Sequence, residues 1–169
     1  MARGMKIETK LVLVFLALLA IIVFQMRLLP YFAIGSIKPD LFLLCVCYLS
    51  LRKEEAKGAL IGFGLGFLED SLSIAPIGVK ALSFSLAGSL LGFVRKGLFW
   101  DSPLAQSVLL FSAGILSGFV SLLALNFFLI PRPFGDTLFR LILPESIFTS
   151  LWGFLFFFIL QRWGERKAK

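Results

Sequence analysis

Histidine is absent from these 169 residues, cysteine occurs twice, and only 16% of the chain is Asp, Glu, Lys or Arg. Without imidazole the chain has neither the usual general base nor the commonest metal ligand. Cys45 and Cys47 stand two apart inside an apolar run. On a helix they point roughly 200° apart, so they cannot pair or chelate one ion, and they read as small packing residues. No GxSxG elbow and no Walker loop occurs. The serines of the apolar runs (Ser83, Ser85, Ser89, Ser112, Ser117 and Ser121) have no base near them in sequence. They read as residues that pack or bond back to the preceding turn. No catalysis, cofactor or metal is expected.

The scarcity of charge also excludes a soluble domain, whose water-facing surface could not be covered. What the chain has instead is 59% hydrophobic residues, twenty of them Phe, in apolar stretches that recur from end to end. This is the composition expected where lipid replaces water as solvent. The reading is an all-α integral membrane protein, residues 1–169 forming a single transmembrane domain of about six short helices. The first run, Leu11 to Leu29, resembles a signal peptide with a small-residue site at Ala33 and Gly35. It is long enough to span, however, and that site lies far beyond its apolar core, so it reads as a retained helix. Further spans are expected over Ile37–Leu51, Ala56–Ser71, Gly78–Phe93, Leu104–Ile130 and Ile142–Leu160. They are separated by the charged hairpin 52–57, a turn at Ser73–Pro76, the loop Arg95–Pro103, and Pro131-Arg132-Pro133.

The formal charge of +7 would suggest nucleic acid in a soluble protein; here its distribution reports topology. Twelve of the seventeen basic residues collect on one side: Arg3, Lys6, Lys10, Arg52, Lys53, Lys57, Arg95, Lys96, Arg162, Arg166, Lys167 and Lys169. Arg27, Lys38, Lys80, Arg132 and Arg140 fall on the other. That excess places the first side, and both termini, in the cytoplasm. Trp100, Trp152 and Trp163 stand at or near span ends, as interfacial anchors do. The basic run from Arg162 to Lys169 would lie at an anionic leaflet, and Asn126, deep in the fifth span, suits an interhelical hydrogen bond.

Gly58, Gly62, Gly66 and Asp70 recur every four residues and form one stripe. Small residues at this spacing let a second helix approach closely, whether within the bundle or from a partner. Gly88 with Gly92, and Gly114 with Gly118, repeat the pattern. Asp70 ends the stripe beside Glu69. Asp40 follows Pro39 at a helix start, where the helix dipole favours an anion. With Lys38 and Lys80 the two Asp residues are expected to share one side. They form either caps and a salt bridge that pin helix ends, or a docking surface or ion site.

The stretch Lys38-Pro39-Asp40-Leu-Phe-Leu-Leu, a charged hairpin, the helix from Gly58 through Gly62, Gly64 and Gly66 to Asp70-Ser-Leu-Ser73, and then Pro76-Ile-Gly78-Val-Lys-Ala81-Leu resembles the rod shape-determining protein MreD family. The motif portion covers roughly residues 38 to 92; Ile74 stands where the family often has Gly. The resemblance implies a non-catalytic protein of the bacterial inner (cytoplasmic) membrane, multi-pass, with a fold like the substrate-binding S-components of energy-coupling-factor transporters. It implies MreC as partner and, through it, MreB filaments, RodA and a class B penicillin-binding protein. The family's marked positions fall on Pro39, Asp40, Gly62, Gly66, Asp70, Pro76 and Gly78. The rival reading is a substrate-binding subunit of a vitamin importer, which should enclose a pocket of convergent polar and aromatic groups.

Overall fold

The computed structural model describes residue 23 and residues 37–73, 76–95, 102–127 and 133–167. The expected first span except Val23, the anchor Trp100 and all of residues 96–101 and 128–132 lie outside the described residues. The chain divides into two compact units, Met1–Lys38 and Pro39–Lys169, the second of which holds nearly all the described residues.

All regular structure among the residues of this unit that are described is helical. The order is α1 (Leu41–Ser50), α2 (Glu55–Leu72), α3 (Val79–Val94), α4 (Pro103–Phe127), the single turn α5 (Phe134–Thr137), a π-turn Leu138–Ile142, and α6 (Leu143–Lys167). The second helix starts four residues later than the pattern suggests. Pro39 disfavours helix in the residue before it. Asp40 is itself extended (φ −94°, ψ 98°) and caps the helix from outside. The start of α4 follows from composition alone: Ser102 Oγ accepts from Ala105 N at 3.1 Å, and Pro103 takes the first helical position, where no N–H is needed. The last helical segment begins at Phe134 rather than Ile142. Its π-turn precedes Pro144, which has no N–H to give, and Leu143 N instead bonds Leu138 O five residues back.

Helix α1 is the most enclosed element. It buries Phe42, Leu43, Leu44, Val46, Cys47 and Ser50, and it packs against α2, α3, α4 and α6. The α2–α3 pair is the closest in the fold. Cβ atoms at Gly58, Gly62 and Gly66 would strike the backbones of Gly88, Phe84 and Lys80–Ala81, and one at Gly92 would come within 2.8 Å of Glu55 Cα. Helix α4 meets α6 and the π-turn through glycines set against side chains, with Gly114 against Ser146, Gly118 against Ile142 of the π-turn and Gly153 against Leu110.

The surface reverses the soluble pattern. Leu60, Phe63, Phe67, Leu82, Leu86, Leu90, Phe93, Leu104 and Val108 are exposed, whereas Asp40, Ser50, Asp70, Ser83, Ser117, Ser146 and Thr149 are buried. Large apolar groups outside and small or polar ones between helices are what a lipid solvent selects. Helix α4 and the segment Gly135–Arg162 are long and apolar enough to cross a membrane; α1 and α3 are shorter apolar helices.

Candidate functional site

Most of the buried charge gathers where α1 and α3 begin, α2 ends and α6 begins. Every α-helix starts with orphan N–H groups that need acceptors. In α3 these cannot be met by the cap residue, because Gly78 has no side chain. Asp70, at the end of the preceding helix, supplies them. Its Oδ2 accepts from Gly78 N at 2.9 Å and Ala81 N at 3.0 Å, and its Oδ1 accepts from Lys80 N at 3.1 Å. The remaining early donor, Val79 N, goes to Pro76 O at 3.4 Å. Gly78 sits at φ 105°, in the left-handed region that suits glycine, and so turns the chain into α3. Asp70 is 1% exposed, and its charge faces the positive end of the α3 dipole.

Asp40 performs the corresponding task for α1, with its Oδ1 accepting from Leu43 N at 2.9 Å. Its backbone N donates to Thr149 Oγ1 of α6 at 3.0 Å, and its Oδ2 receives Lys80 Nζ at 3.2 Å. Lys80 also pairs with Glu69 Oε1 at 3.3 Å, so one ammonium bridges α1 and the end of α2 while its own backbone is held by Asp70. The second oxygen of Glu69 is buried without a hydrogen-bond partner. A cavity of about 30 Å³ lies alongside, lined among others by Asp40, Lys80, Ser117, Glu145, Ser146 and Thr149. Its volume is about that of a single water molecule in the liquid.

The structure therefore brings Asp40, Asp70, Pro76, Gly78 and Lys80 to one corner, next to the Gly66 end of the stripe. Gly58 and Gly62 lie farther along α2, against α3. Asp70 meets backbone amides instead of a cation, and Lys38, expected in the cluster, is exposed and belongs to the first unit. Sequence reasoning passed over Thr149 and Glu145. The only local signal was a carboxylate directly after Pro144 at the head of an apolar run. No group of three or more His, Cys, Asp or Glu that could hold a metal ion occurs among the described residues.

One consequence can be measured. Lys80→Met would leave Asp40 and Glu69 buried without their shared cation and is expected to cost about 3–5 kcal/mol. Glu69→Gln removes a carboxylate that is only half partnered and is expected to change stability by less than about 1 kcal/mol. Thermal unfolding of both variants in detergent reads the difference; equal losses would refute this division of roles.

Comparison with known proteins agrees with the motif. No curated protein and no solved structure matches the chain. The family profile described as rod shape-determining protein MreD matches residues 5–164, nearly the whole sequence. With apolar helices whose large side chains face outward, this is a membrane protein with a role in rod shape determination, and the chain belongs to the MreD family.

Proposed function

We propose that this protein is a non-catalytic scaffold of the bacterial inner membrane. It binds MreC and, with it, helps link MreB filaments to peptidoglycan synthesis by RodA and a class B penicillin-binding protein. The observation that carries this reading is how the buried polar groups are used. Asp40, Asp70 and Lys80 are committed to helix starts and to one another, an arrangement that stiffens a body and leaves its apolar outer faces to neighbours. An importer subunit would turn such groups towards a ligand in a pocket of roughly 300–1,000 Å³, whereas the polar cavity here is about 30 Å³. The proposal includes a single domain of about six spans, similar to the energy-coupling-factor S-components, with both termini cytoplasmic by the bias of Lys and Arg.

The test is capture of the tagged protein from gently solubilised native membranes, with partners identified by mass spectrometry. MreC and cell-wall synthases are the expected companions. Recovery of a coupling subunit with paired ATPases would overturn the scaffold and establish the importer.

A further inference from the structure

Helices α3 and α4 are tied at one end by the Ser83–Ser121 hydroxyl pair at 2.8 Å. Towards the other end an apolar groove of about 300 Å³ opens between them, lined among others by Leu90, Val94, Leu109, Ser112, Ala113 and Leu116. Its one polar side chain is already satisfied within α4, since Ser112 Oγ donates to Leu109 O at 2.8 Å. Leu90 is 50% exposed, so the groove opens on the outer surface. The stretches Ala87–Val94 and Leu109–Leu116 each rise about 10 Å along a helix, against the ~15 Å hydrocarbon depth of one leaflet. The volume holds about ten groups the size of a water molecule at ~30 Å³ each, which suits a length of acyl chain. At the end of the groove, directly after Val94, stands Arg95, the C-cap of α3.

We infer that this groove holds one acyl chain of an anionic phospholipid, with the head-group phosphate at Arg95. An apolar slot selects a chain but no head group; the adjacent guanidinium favours an anionic head group over a zwitterionic one. The charge bias puts Arg95 on the cytoplasmic side, so the lipid belongs to that leaflet. The inference rests on the membrane location and not on any protein partner.

The full-length protein, carrying the photo-crosslinker benzoylphenylalanine at Leu90, would be reconstituted in phosphatidylcholine vesicles containing phosphatidylglycerol. After illumination, mass spectrometry should find phosphatidylglycerol adducts enriched roughly fivefold over that lipid's share of the bilayer. Arg95→Gln should erase the enrichment, and Ser112→Trp, which fills the slot, should remove the lipid adduct at position 90. The crosslinker placed at Phe63, on the exposed face of α2 and farther from its basic start, should label both lipids in proportion to their abundance. Equal selectivity at both positions, or an adduct to a second copy or to another segment of this chain, would overturn the inference. No partner is present in the vesicles, so failure here leaves the MreC capture result standing, and the converse holds.

Discussion

Asp70→Asn is expected to destabilise the protein by about 3–5 kcal/mol and to abolish its contribution to rod shape. The carboxylate accepts three backbone N–H groups with its two oxygens, and hydrogen bonds to an ionised acceptor contribute roughly 1.5–3 kcal/mol each. An amide keeps the shape but replaces one acceptor with a donor, so whichever way it is turned an NH₂ group faces at least one N–H. The buried amides left unsatisfied have no water to turn to, and the charge that opposes the α3 dipole is lost as well. A reversible unfolding measurement in detergent or bicelles gives the energy, and complementation of a shape-defective strain gives the function. An Asp70→Asn variant as stable as the parent would refute the assignment; if that stable variant also failed to complement, Asp70 would face a partner rather than the start of α3.

The second large effect concerns the contact between α2 and α3. Gly62→Leu is expected to cost at least about 3 kcal/mol and to leave little folded protein in the membrane. The obstacle is backbone: a Cβ there would strike Phe84 O and come within 2.9 Å of Ser85 N. Neither atom can move without separating the two helices, and that separation would also pull Asp70 away from the amides it caps. Gly64, two residues on, is the internal control. Nothing lies within 4 Å of a Cβ at that position, and a leucine there joins the apolar face made by Leu60, Phe63 and Phe67. Gly64→Leu should therefore match the parent in yield and in melting temperature. If the two substitutions behave alike, helix propensity and not close approach governs this helix.

Much of the local architecture was readable in the chain. The helix starts at Asp40 and Ser102-Pro103 are capping chemistry written in adjacent residues. The four-residue glycine spacing announces a face for close packing without knowledge of the fold. Among the residues that carried the resemblance to MreD, Asp40, Asp70 and Gly78 build the corner. What was not readable was the partner of each group. Asp70 looked like a candidate for a cation because the amides it caps lie eight to eleven residues ahead, beyond a turn. Lys38 and Lys80 looked equivalent as basic residues, yet only Lys80 lies in the first turn of α3, where its ammonium meets Asp40 and Glu69. The π-turn before Pro144 adds a residue to one turn of an otherwise regular segment, and a period of 3.6 gives no notice of it.

The sequence by itself determined the solvent, the class of structure and the family. Each depends on composition or on patterns a few residues long: the shortage of charge, the recurring apolar runs, the helix caps and the spaced glycines. Only the tertiary structure decided that the glycine stripe is occupied by α3. It also decided that Asp70 replaces the side chain Gly78 lacks, and that one ammonium, Lys80, is shared by Asp40 and Glu69. These are meetings between residues up to forty positions apart. Hydrogen bonds and ion pairs act over a few ångströms, so which groups meet is settled by how the helices pack.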